Sequence, residues 1–115
     1  MQVVEKQHKR LERRAGILRA LANPSRLLML EQMENGYRTV SELTELVGSD
    51  ISTVSRHLMV LKNAGLVDCC RVGNRHRYSL KAACVLNFLD CVEDIFEGGT
   101  GSCSREFLLS RSAVR

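Results

Sequence analysis

The chain has one proline in 115 residues and no tryptophan. Proline lacks the amide hydrogen that a helix interior needs, so its scarcity, with 44% hydrophobic residues, points to a folded and largely helical unit. Long apolar runs are also missing. No segment approaches the roughly 20 apolar residues of a membrane span. The basic amino-terminal stretch also carries Glu5 and Glu12 and leads into no signal-peptide core. Five cysteines form no dense, regular framework of the kind small secreted proteins use. The expected compartment is therefore the reducing cytosol, where thiols stay available for chemistry. No internal repeat is present. No histidine with a carboxylate orienter stands beside a cysteine in a recognisable motif, so a thiol enzyme is not expected.

What is present amounts to one domain with a single core, small enough that its helices leave a face over for a second copy. The formal net charge is +4. Residues 1–80 hold 13 Lys/Arg against 8 Asp/Glu, whereas residues 81–115 hold 4 against 5. The basic character, and with it any polyanionic partner, belongs to the first two-thirds of the chain.

Hydrophobic spacing predicts an amphipathic helix over Val3 to Ala22, with Ile17, Leu18 and Leu21 on one stripe. Asn23-Pro24 ends it and starts a second helix over Ser25 to Glu34, with Leu27, Leu28, Leu30 and Met33 as core and Asn35-Gly36 supplying a left-handed stop. A loop through Tyr37 and Arg38 follows. Thr39 and Glu42 form a T-x-x-E capping box. Val40, Leu43, Leu46 and Val47 then recur at helical spacing up to Gly48, where a tight turn is expected. Asp50 is expected to cap a fourth helix running to Ala64. Leu66 to Val72 and Arg75 to Leu80 read as two strands around Gly73-Asn74, both residues tolerant of positive φ. A last helix over Lys81 to Glu97 shows a stripe of Val85, Phe88, Leu89, Val92, Ile95 and Phe96. Residues 98–115 are a glycine- and serine-containing linker and tail.

The fold class is mainly α with a small β-hairpin wing, in the order α-α-α-α-β-β-α, and residues 1–97 form one winged helix-turn-helix domain for DNA binding and dimerisation. On the fourth helix, Val54, Leu58 and Leu61 make the buried stripe. Ser52, Arg56, Met59 and Asn63 are left opposite it, with Thr53 and Ser55 at its flanks. Short hydroxyls let a helix approach a major groove closely. An arginine there can bridge guanine O6 and N7, and Ile51 can meet a thymine methyl. Arg71, Arg75, His76 and Arg77 cluster at the hairpin, placed for phosphates or the minor groove.

The runs LRALANPSRLLML, TVSELTELVGSDISTVSRHLMVLKNAGLV and RVGNRHRYSL, in that order over Ile17 to Leu80, resemble the ArsR/SmtB family of bacterial metal- and thiol-responsive repressors. The resemblance implies a homodimer built through the first and last helices, a palindromic double-stranded operator, and release from DNA on inducer binding. It places Ser52, Thr53, Ser55, Arg56 and His57 on the recognition helix and the Arg75 region on the wing. At Ile51 many members have a polar residue such as glutamine. For His57, packing or a hydrogen bond is the alternative to a base contact.

A sensor of this kind needs polarizable sulfur. The family's cysteine site on the helix over Val40 to Gly48 is missing here, and no histidine follows His76 to build its zinc site on the last helix. Cys84 and Cys91 lie seven apart, two turns and about 10.5 Å along a helix, too far to chelate one ion alone or to form a disulfide within it. They are the expected switch, with Cys103 as a further ligand and Cys69 and Cys70, which alternate strand faces, as lesser candidates. The expected inducer is arsenite or another soft thiophilic ion. The alternative is a redox or persulfide switch at the same sulfurs.

Overall fold

The computed structural model describes residues 2–98. The chain divides into two compact units, the first ending at Ala82 and the second beginning at Ala83. The first unit carries helices α1 (Gln2–Leu21), α2 (Pro24–Gln32), α3 (Val40–Val47) and α4 (Ile51–Asn63), with strands β1 (Arg38–Thr39), β2 (Val67–Val72) and β3 (Arg75–Leu80). The second unit carries α5 (Ala83–Phe96). Among the described residues no helix is long and apolar enough to cross a membrane.

Local chemistry sets the helix ends. The Asn23 side chain accepts the Arg26 amide at 3.1 Å, with Pro24 in the first turn of α2. The Arg26 guanidinium folds back to the carbonyls of Ala20 (2.5 Å) and Arg19 (3.0 Å), satisfying acceptors at the end of α1. The capping box of α3 is complete: Thr39 Oγ1 accepts the Glu42 amide at 3.2 Å, and the Thr39 amide donates to Glu42 Oε1 at 2.9 Å. Gly48 ends α3 at φ 76°, a left-handed conformation that costs other residues a Cβ–carbonyl clash.

The core of the first unit is aliphatic and thioether. Met29, Leu30, Leu43, Val54 and Leu61 are fully buried, with Ala20, Leu21, Met33, Leu58, Leu66 and Val67 nearly so, and no polar side chain is buried among them. Each such leucine contributes about 2 kcal/mol by leaving water. The stripe expected on α4 is the one observed. Elsewhere the periodicity overstated the core: Leu27 and Leu28 are only half-buried, and Leu46 is exposed, because the short helices α2 and α3 have one or two residues each at the centre of the packing.

Two further details depart from expectation. Residues 38 and 39 are a strand, not loop, so the wing is a three-stranded antiparallel sheet in the order β1-β3-β2. Helix α2 ends at Gln32, short of the expected Glu34, with a right-handed cap residue, Met33, so Asn35-Gly36 does not form its cap, and the positive φ of Gly36 falls in the loop beyond. In the β2–β3 turn Gly73 alone has positive φ (64°), the requirement of a two-residue turn with glycine first.

Sheet register sorts the wing's side chains. Val67↔Leu80, Cys69↔Tyr78 and Arg71↔His76 share one face, and Arg38, opposite Tyr78, joins it from β1. Asp68↔Ser79, Cys70↔Arg77 and Val72↔Arg75 share the other, with Thr39 opposite Arg77.

In α5 the expected apolar stripe is largely open to water. Phe88, Val92, Ile95 and Phe96 are exposed and Val85 and Leu89 half-buried, while Leu86 and Cys91 are the buried residues.

Candidate nucleic-acid interface

The turn at Gly48 delivers the chain to Asp50, whose extended backbone opens α4. Asp50 was expected to cap the backbone. Its carboxylate instead accepts the hydroxyls of Ser52 and Thr53, at 2.5 Å each, and makes no side-chain bond to an amide. Those two hydroxyls, Ser52 first, hold the Asp50 carboxyl down at about 2. With their hydrogens directed at Asp50, the Ser52 and Thr53 hydroxyls have only acceptor lone pairs left to offer.

Beyond them Ile51, Ser52, Ser55, Arg56, Met59 and Asn63 are exposed on α4, and Thr53 is half-buried. Ile51 and Met59 stand at 57% and 64% exposure, two apolar side chains a folded monomer leaves in water beside hydroxyls and a guanidinium.

His57 stands apart from that face. It is half-buried, with Nδ1 3.2 Å from Arg26 Nη1. Arginine has no acceptor, so Nδ1 must accept and the imidazole is neutral with its proton on Nε2. Burial, followed by the charges of Arg26 and Arg56, pushes its pKa below the usual histidine value. The hydrogen-bonding alternative is therefore the one the geometry displays.

On the wing, Arg71, Arg75, His76 and Arg77 are all exposed. Arg71 Nε donates to the Gly73 carbonyl at 3.2 Å, folding its side chain along the turn. The Arg77 guanidinium lies 5.9 Å from the centre of the Tyr37 ring, a cation–π contact that stiffens it. Arg75 and Arg77 line an open groove of about 1030 Å³ that also takes in Tyr37, Ser41, Glu42 and Ile51. One concavity thus joins the wing arginines to the first residue of α4. The Glu42 carboxyl on its wall is held below its usual range by the Thr39 hydrogen bonds, then by the Arg38 and Arg75 charges.

Tyr37, Arg26 and the Asp50 lock on two hydroxyls were not foreseen from sequence as parts of this surface. The available signal was the D-x-S-T run, Asp50 to Thr53, in which a carboxylate two and three residues before hydroxyls competes for them as readily as for amides.

The cysteines occupy different surroundings. Cys69 is half-buried, with Sγ 3.5 Å from His76 Nδ1, and Cys70 and Cys84 are exposed; all three are free thiols. Cys91 is 1% exposed, so the two sulfur residues of α5 differ in access although they share a helix face. Cys103 lies outside the described residues. Among the described residues no group of three or more His, Cys, Asp or Glu is arranged to hold a metal ion.

The family model for bacterial regulatory proteins of the arsR family matches residues 23–68, from the cap of α2 into β2. The HTH-type transcriptional regulator NmtR of Mycobacterium tuberculosis is 46% identical over 76 residues, covering 66% of this chain and 63% of that protein, so the chain spans just under two thirds of it. The nodulation protein NolR of Rhizobium meliloti is 34% identical over 106 residues, covering 92% of this chain and 87% of that protein. A probable mercury resistance operon repressor of Streptomyces lividans is 41% identical over 66 residues, covering 57% of this chain and 53% of that one. Among solved structures, a homodimeric winged helix-turn-helix DNA-binding domain from Mycobacterium bovis superposes with a TM-score of 0.70 at 29% identity, covering 80% of this chain and 85% of the other.

Proposed function

Because this chain belongs to the ArsR family of bacterial transcriptional regulators, we propose that it is a homodimeric repressor that holds a palindromic operator until an inducer acting on cysteine sulfur releases it. The observation that carries the DNA-reading part is the groove that places Arg75 and Arg77 beside Ile51, the first residue of α4. Ser52, Thr53, Ser55 and Arg56 read base edges from α4, with Ile51 against a thymine methyl. Arg71, Arg75 and Arg77 hold phosphates or enter the minor groove. His57 acts indirectly, fixing α4 against Arg26.

Binding of the purified chain to duplexes from its own upstream region, measured by fluorescence anisotropy at two salt concentrations, tests this. Arg56→Ala is expected to cost about 1–3 kcal/mol and relax specificity at one base position. Arg75→Ala with Arg77→Ala weakens all duplexes alike and flattens the salt slope by about 2. An absence of duplex affinity even at low salt would overturn the reading.

The inducer is a soft thiophilic ion such as arsenite, taken up in the reduced protein by Cys84 and Cys91 together with Cys103. The name of the Streptomyces relative, a probable mercury resistance repressor, favours a soft ion, as does the exposed thiol of Cys84. Operator release by arsenite is compared in wild type, Cys84→Ser and Cys91→Ser. Release undiminished in both variants refutes this site, and release by persulfide or peroxide but not by any soft ion supports the redox switch instead.

A further inference from the structure

On the Val67–Leu80 face of the wing, register brings Arg38, Tyr78 and Cys69 into one row across three strands, with His76 and Arg71 in the next row toward the turn. Cys69 Sγ lies 3.5 Å from His76 Nδ1, within reach for S–H···N contact. Cys69 is half-buried and His76 exposed, so the pair is open to a small reagent from the His76 side. The Tyr78 hydroxyl, paired with Cys69 across the strands, is pushed above the usual phenol value by burial first and then by the neighbouring Cys69, and so stays a neutral O–H. It therefore offers a donor to a thiolate. Cys70, one residue on, points to the opposite face opposite Arg77 and has no imidazole beside it.

A thiol reacts through its thiolate, and a base in hydrogen-bond contact supplies that form at neutral pH. We propose that Cys69 is a modification site on the wing itself, where a low-molecular-weight anionic disulfide forms a mixed disulfide and thereby weakens DNA binding. His76 Nδ1 takes the Cys69 proton, and the thiolate attacks one sulfur of the disulfide. The Cys69–sulfur bond forms as the reagent's S–S bond breaks. The departing thiolate recovers the proton from the imidazolium, so Cys69 is oxidised to a mixed disulfide and half of the reagent is reduced to a thiol. The adduct places bulk and negative charge beside Arg71 and His76, at the end of the hairpin where the exposed charged residues Arg71, Arg75 and Arg77 are basic. The effect on DNA rests on the repressor reading above, while the reactivity does not.

The test uses the full chain and the aromatic disulfide 5,5′-dithiobis(2-nitrobenzoate), whose released thiolate is coloured, with peptide mass spectrometry to locate the label. At neutral pH Cys69 is expected to react about tenfold faster than Cys70 and Cys84, and His76→Asn to remove that advantage without slowing Cys70. The pH profile of the Cys69 rate should change in His76→Asn, which a purely structural role of His76 would not produce. Protein labelled at Cys69 should bind its operator about tenfold more weakly and recover on reduction, while Cys69→Ser binds normally and resists the reagent. Equal rates at Cys69 and Cys70, or unchanged operator binding by protein labelled at Cys69, would overturn the proposal. Failure of the unlabelled protein to bind DNA counts against the repressor reading, and the labelling rates then still decide the reactivity of Cys69.

Discussion

In the proposed reading Asp50 sets what Ser52 and Thr53 can offer a base, since its carboxylate accepts the hydrogen bonds of both hydroxyls. It also keeps a negative charge at the start of α4, which steadies the helix dipole but opposes an approaching phosphate. Asp50→Asn removes the charge and loosens the lock. Affinity for arbitrary duplex should rise a few-fold at low salt and return to the wild-type value as salt screens the charge, with weaker discrimination among base substitutions in a competition assay. With its pKa lowered from 3.8 to about 2, Asp50 contributes stability above pH 3.8 that disappears as pH falls toward 2. His57 has the same sign for a different reason. Its folded pKa lies below the ordinary 6.5, so the unfolded chain binds the proton more readily and stability falls as pH drops through that value. Melting curves at pH 7.5 and 5.5 should show a loss in wild type that is smaller in His57→Gln. At this scale the sequence displayed the residue types but not their partners. Arg26 and His57 are 31 positions apart, and no spacing rule joins them.

The helix-turn-helix was legible because each end of α3 is written locally. Thr39 and Glu42 form the capping box in sequence and in structure, and Gly48 takes the left-handed cap. Thr39→Ala should cost about 1 kcal/mol, and Gly48→Ala about 1–2 kcal/mol, because the strain lies in the backbone. An added Cβ at Gly48 would meet nothing within 4 Å, so space is not the obstacle. The two positions cap opposite ends of an eight-residue helix, about 13.5 Å apart, so urea midpoints for the double variant should reflect the sum of the single losses. Operator affinity should suffer more in Gly48→Ala, since the turn aims α4. The strand β1 was not legible. Two residues show no period, and β1 exists only because β3 offers Tyr78 and Arg77 as partners from about 40 positions away.

Across the whole molecule, periodicity specifies a face that water should not cover but not what covers it. The stripe of α5 was visible in the sequence as apolar spacing, yet Phe88, Ile95 and Phe96 stand 53%, 53% and 88% exposed in the single chain, and on α1 Leu18 is 56% exposed. A second copy is the covering that the dimer reading supplies, and the homodimeric relative from Mycobacterium bovis supports it. If so, Phe88→Glu with Ile95→Glu should sediment as a monomer at concentrations where wild type is a dimer, because two carboxylates would have to be desolvated in the interface. The far-ultraviolet circular dichroism should change little, as neither side chain is buried in the single chain. The functional consequence separates this from simple misfolding. A monomer keeps α4 and the wing, so its affinity for a single half-site should stay within a few-fold of wild type. A palindrome, by contrast, rewards two linked readers, and there the loss should reach about a hundredfold. Equal losses on half-site and palindrome would mean that the charges damage the reading head, and a wild type that sediments as a monomer would remove the dimer from the account.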